Sequence, residues 1–198
     1  MPQHTLHPLQ LCHAQLTECL HLAKSQWQLA PHEQFSTPTA NGGWSANQCL
    51  QHLNQYGRHY LPAIKLAINK AKPSPAPFTN YSSGWLGAWF IKLMTVQPNT
   101  PPAKKMKAPK GYNKYTIKPS QQVLEEFMEQ TQTLLVLIEQ AAKVQLGSAR
   151  IPTTLSSFIT LKLGDTIQFL SAHIYRHCQQ AQRALIQAAN PQPAVFVA

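Results

Sequence analysis

Acidic residues are scarce in this chain of 198 residues: seven Asp and Glu in all, one of them an aspartate, and none between Glu33 and Glu125. A paired-carboxylate mechanism needs two acids in one pocket, and Asp165 is the one acid near the histidine-rich end of the chain. No GxSxG elbow, P-loop, GxGxxG turn or HExxH motif occurs, so serine hydrolysis, nucleotide binding and zincin chemistry have no sequence support. The four cysteines, Cys12, Cys19, Cys49 and Cys178, include no CxxC pair. Without a leader they read as reduced thiols of a cytoplasmic protein. Long apolar runs are missing as well. The opening MPQHTLHPLQ is broken by Pro and His, and the aliphatic stretch from Leu134 to Ile138 is far too short to span a bilayer. A soluble protein with no membrane partner is expected.

Hydrophobic residues make up 43% and charged residues 12%, about half the usual charged share, which excludes charge-driven disorder. The length suits one domain, 1–198, with a single sizeable core. Seventeen Lys and Arg give a net charge of +10, and eleven of them lie in the acid-free middle segment, from Arg58 to Lys118. That segment predicts a basic face, attractive to anions.

Four stretches repeat apolar residues at helical spacing. Over 9–29, Leu9, Cys12, Leu16, Cys19, Leu20, Ala23 and Trp27 share one stripe. A second helix over 45–71 opens on Ser45 and Gln48 at capping-box spacing and contains Pro62, a predicted kink. The third, 120–145, follows Lys118-Pro119 and carries Leu124, Phe127, Thr131, Leu134, Leu135, Ile138 and Ala142. The fourth, 165–189, is read as opening on a capping box of Asp165 and Gln168 and stopping at Asn190-Pro191. The fold class is therefore all-α, a four-helix bundle. A long crossover, 73–119, joins helices 2 and 3; within it Trp85 to Met94 can form a short helix, while PPAKKMKAPKGYNKY reads as exposed, extended chain.

His173 and His177 stand four residues apart on the fourth helix. On one helical face that spacing lets both imidazoles reach a single metal ion at about 2.0–2.1 Å. The other reading is a polar helix edge. His52, on the second helix, is either a third ligand or a histidine at the margin of the core.

The string GGWSANQCLQHL, followed much later by LGDTIQFLSAHIYRH, resembles the DinB-like superfamily of four-helix bundles. GWLGAWFIKLM, KMKAPK and VLEEFMEQTQTLLVLIEQ resemble stretches of one of its branches, in the same order. The resemblance implies a three-histidine site for a divalent metal, with His52, His173 and His177 as ligands; imidazole suits zinc or nickel. Beside these, Cys49 sits one turn before His52 and is either a fourth ligand or, as preferred here, a small core residue. Tyr56 and Gln180, one turn after His52 and His177, are placed to orient a water or substrate from behind the ligands, or are ordinary packing residues. His59 is read as a surface residue near the same cleft.

Three functional classes follow. In the first, the chain is a metal-dependent enzyme acting on a small-molecule substrate. The resemblance implies S-transfer with a low-molecular-weight anionic thiol, and metal-assisted hydrolysis by bound water is the alternative. In the second, the lysines from Lys104 to Lys118, interleaved with Tyr112 and Tyr115, contact nucleic acid. A solvated loop is preferred, because the run has no arginine and no nucleic-acid-binding fold surrounds it. In the third, the chain is a non-catalytic basic bundle that binds an anionic partner or forms a homodimer through the apolar tail Ala194–Val197.

Overall fold

The computed structural model describes residues 7–77, 81–96, 112 and 120–190. Helix α1, Pro8–Ser25, opens on a capping box in which the His7 side chain accepts from Leu9 N at 3.2 Å and Gln10 Oε1 accepts from His7 N at 2.9 Å. Its stripe Leu9, Cys12, Leu16, Cys19, Leu20 and Ala23 is buried. The first helix stops short of residue 29. The chain instead tightens into a 3-10 turn, Trp27–Leu29, which turns Trp27 into the core with its indole N–H donating to Gln182 Oε1 at 2.6 Å. A buried tryptophan needs that polar partner. A five-residue helix, α2, His32–Ser36, follows and buries Phe35.

Helix α3, Ala46–Lys70, starts where the Ser45 and Gln48 pair predicts. Gln48 N donates to Ser45 Oγ at 3.2 Å and Ser45 N to Gln48 Oε1 at 2.9 Å. The helix runs unbroken through Pro62, which sits on the exposed face. Helix α4, Trp85–Met94, is the short helix within the crossover. Helix α5, Ser120–Ala141, buries Val123, Leu124, Phe127, Thr131, Leu134, Leu137, Ile138 and Ala141. An antiparallel hairpin then leads into the last helix: β1, Arg150–Pro152, pairs with β2, Thr160–Lys162, setting buried Ile151 opposite buried Leu161. Helix α6, Leu163–Ala189, completes the chain of elements.

Helices α1, α3, α5 and α6 form the bundle. Both α1 and α3 pack against α5 and α6, so α1 lies diagonally across from α3, and α5 from α6. Helix α4 lies against α6 and β2. This explains why α6 is buried nearly all round, with residues as separated in angle as Leu170, Ala172, His173, Tyr175 and Cys178 all inaccessible. One face meets α3, another α1, and the face that would meet solvent in a minimal bundle is covered by α4. Each large apolar side chain so buried contributes about 1.5–3 kcal/mol. Among the described residues no helix is long and apolar enough to cross a membrane.

The start of the last helix corrects the sequence reading. Helix α6 begins at Leu163, directly after β2, with Lys162 at its N-cap and no side-chain cap. Asp165 is inside the first turn, 1% exposed, and its carboxylate accepts from Tyr81 Oη at 2.7 Å and from Gly84 N at 3.2 Å. It fastens the N-terminus of α4 to α6 instead of capping its own helix. The reading of 98–118 as exposed chain falls, apart from Tyr112, outside the described residues, as does that of the tail Ala194–Val197 as a dimer contact.

Candidate metal site between the second and last bundle helices

Helices α3 and α6 run side by side through the bundle, and each places its histidines on the shared face. One ligand nitrogen from each of His52, His173 and His177 lies within 4.8 Å of the others. The ring centroids are 5.0 Å apart for His52 and His173, 4.8 Å for His52 and His177, and 4.7 Å for His173 and His177. All three pairs meet at steep angles, edge to face. Exposure rises from 2% at His52 and 4% at His173 to 9% at His177, so the cluster is most open on the His177 side.

The outer nitrogens fix how two of the rings are protonated. His52 Nδ1 lies 2.7 Å from the carbonyl oxygen of Tyr112. A carbonyl only accepts, so Nδ1 carries the proton and Nε2 turns a lone pair inward. His177 Nδ1 likewise donates to Gln180 Oε1 at 3.0 Å. His52 Nε2 and His173 Nε2 are 3.2 Å apart. In the metal-free protein, His173 must then carry its proton on Nε2, which leaves its buried Nδ1 as an acceptor with no partner among the described residues. The inward lone pairs of His52 and His177 are polar atoms out of reach of water, and a cation at the centre would take them up. The donor set therefore fits a divalent metal, with ligands oriented from behind as such sites require.

The rings are walled by aromatic groups. Trp44 stacks on His177 at 5.6 Å and 19°, and Phe169 on His173 at 5.8 Å and 9°. Tyr56 touches two site rings, 4.8 Å from His52 and 4.4 Å from His173. Burial holds His52 below the usual histidine range, against the pull of the Tyr112 carbonyl. His173 and His177 are held well below it, first by burial and then by the neighbouring site histidines and Arg176. The same desolvation pushes the Tyr56 phenol up to about 12.

The remaining residues singled out in the sequence divide as follows. Gln180 faces His177 itself. His59 points away, its Nε2 3.5 Å from the carbonyl of Pro152 in the hairpin. Cys49 is fully buried outside the histidine group, its thiol pushed up by burial and so kept protonated. Two contributors were hidden in the sequence. Tyr112 read as a ring in a lysine-rich loop, yet its carbonyl orients His52 and its ring meets Tyr56 at 4.8 Å. Phe169 precedes His173 by one turn, and that spacing was the available sign of a ring stacked on the histidine.

The solved structure of YfiT from Bacillus subtilis, a probable metal-dependent hydrolase with an unusual four-helix bundle topology, is similar in fold, with a TM-score of 0.56 and 16% identity over 96% of this chain and 93% of that one. No curated protein sequence matches the chain. The family model of the DinB superfamily matches residues 15–181, most of the bundle with all three clustered histidines, and the chain belongs to that superfamily.

Proposed function

We propose that the chain is a metal-dependent enzyme in which His52, His173 and His177 hold one divalent cation, zinc or nickel, facing a small-molecule substrate. The observation that carries this reading is the convergence of three neutral imidazole nitrogens within 4.8 Å, with no carboxylate or thiolate among them. A divalent ion held by three neutral ligands keeps its full charge and an open position, and so acidifies a water or thiol that it binds. Burial keeps the histidines deprotonated and ready at neutral pH. The Tyr112 carbonyl and Gln180 hold two of the rings in place. Tyr56, neutral because burial raises its phenol, serves as a donor that orients the substrate.

Hydrolysis is the reaction that the likeness to YfiT supports. S-transfer with a low-molecular-weight thiol is the second reading, favoured by the eleven basic residues of the acid-free segment, which suit a thiol bearing carboxylates. Elemental analysis of tag-free protein equilibrated with zinc and nickel tests the shared premise. One metal per chain is expected, lost in His173→Ala while the helical circular dichroism is kept. Wild-type protein that retains no metal would sink the proposal. Loaded protein assayed on esters and amides, and on a thiol with an electrophile, separates the two reactions.

A further inference from the structure

Helix α4 rides outside the four-helix bundle, packed on α6 and β2. Its inner side is accounted for, since Gly87, Phe90 and Met94 are buried. Trp85, Ala88, Trp89 and Lys92 recur at spacings of three and four residues and so share the opposite side. All four are exposed, Trp85 to 84% and Trp89 to 54%. A lone exposed apolar side chain is ordinary, but two tryptophans one turn apart on an outlying helix form a patch, and such patches mark contact surfaces.

The exposed charge around this patch is of one sign. Lys92 stands on the exposed face in the last turn of α4. Near the first turn, Lys162 Nζ donates to the Ser82 carbonyl at 3.2 Å and lies 5.7 Å over the Tyr81 ring. Exposed Arg150 is directly opposite Lys162 in the hairpin. The acids are elsewhere. Four of the seven, Glu125, Glu126, Glu129 and Glu139, belong to α5, diagonally across the bundle from α6. Glu18 and Glu33 belong to α1 and α2. Asp165 is enclosed at 1% exposure, held by Tyr81 and Gly84.

We infer that the outer face of α4 is a peripheral membrane contact, in which Trp85 and Trp89 enter the headgroup region of an anionic lipid surface while Lys92, Lys162 and Arg150 meet its charge. Charge complementarity selects this occupant. A second copy of the chain on a two-fold axis would set the basic face against itself. An acidic protein would satisfy the cations but gives no reason for the two rings, whereas indole is a side chain that settles at the boundary of water and lipid. Tryptophans beside cations on one helical side are the pattern of interfacial helices. No spanning helix is required. The expectation of no membrane partner followed from the want of a long apolar run, and this contact reaches only the headgroups. It does not depend on the metal.

The test is sedimentation of the whole chain with two kinds of vesicle, phosphatidylcholine alone and an equimolar mixture with phosphatidylglycerol. The mixed vesicles should bind it at least about tenfold tighter, since each basic residue at an anionic surface is worth about fivefold. Trp85→Ala combined with Trp89→Ala should weaken that binding at least about tenfold, and Lys92→Gln about fivefold. All three positions are exposed, so the helical circular dichroism should be kept. With mixed vesicles the indole fluorescence should shift to the blue and be quenched by brominated lipid, and the double variant should lose both effects although Trp27 and Trp44 remain. A chain that stays in the supernatant with the mixed vesicles overturns the inference. So does wild-type fluorescence that brominated lipid leaves unquenched, a readout that needs no variant. Binding that the double variant retains undiminished, and that polyglutamate displaces, would be bare charge attraction, with an acidic protein the better partner, and sinks the lipid assignment. Self-association that the double variant loses, without vesicle binding by the wild type, gives the face to a second copy and sinks it equally.

Discussion

An imidazole in water exchanges its proton near pH 6.5, and the three clustered histidines are displaced from that value in one direction. Burial lowers His52, and lowers His173 and His177 further with the help of their neighbours. Unfolding restores the ordinary value, so below about pH 6.5 the unfolded chain binds more protons than the folded one. The stability associated with the neutral rings is complete above that pH and is lost as pH falls toward the lowered folded values. Metal-free protein should therefore show a falling urea midpoint between about pH 7.5 and 5. Replacing all three histidines by glutamine should flatten that slope. An unchanged slope in the triple variant would mean that the cluster is not what titrates. The same scale shows what a sequence conceals. The spacing of His173 and His177 displays the shared face, but the proton on His52 is set by the carbonyl of Tyr112, sixty residues away, and backbone groups leave no mark in a side-chain pattern.

Among the elements, the four bundle helices were legible because each carries a stripe of apolar residues at period 3.6, and the Ser45 and Gln48 box fixed the start of α3 to the residue. The break between α1 and the turn at Trp27 was not, since the apolar stripe continues across it and only the indole bond to Gln182 reveals the turn. Asp165 misled for a related reason. Its distance from Gln168 imitates a capping box, but α6 begins two residues earlier, and the carboxylate is taken by Tyr81 and the first turn of α4. Gly87 makes that docking possible, because a Cβ there would stand 2.2 Å from the Asp165 carboxyl carbon. In a free helix Gly→Ala gains up to about 1 kcal/mol; here the steric cost should win. Gly87→Ala is expected to destabilise the protein by about 1–3 kcal/mol in urea titration. Combining it with Asp165→Ala, which removes the obstructing carboxylate, should cost less than the sum of the two single changes. Additive losses would show that Gly87 and Asp165 are not coupled in this way.

At the scale of the whole molecule, the diagonal arrangement gives the histidine cluster its leverage on the fold. Helices α3 and α6 each touch three or more other elements, and the cluster joins these two near the bundle interior, where His52 and His173 are nearly inaccessible. A ligand that binds only the folded arrangement stabilises it by mass action, about 2.7 kcal/mol at one hundred times its dissociation constant. For a chain of 198 residues that corresponds to a rise in Tm of roughly 5–10 °C. Metal stripped by a chelator should take the same amount away, and re-addition should restore it. Binding elsewhere is a real competitor, because the unfolded chain also offers nine histidines and four cysteines to a soft cation, and affinity for the unfolded state would lower the gain. The decisive comparison is between variants. His52→Ala, His173→Ala and His177→Ala should each lose most of the shift, while His59→Ala and Cys49→Ala should keep it, the first because its ring points to the hairpin and the second because its sulfur lies outside the histidine group. If Cys49→Ala abolished the shift instead, the sulfur would be a fourth ligand, the coordination would be closed, and the metal would be a staple between α3 and α6 with no open position for a substrate.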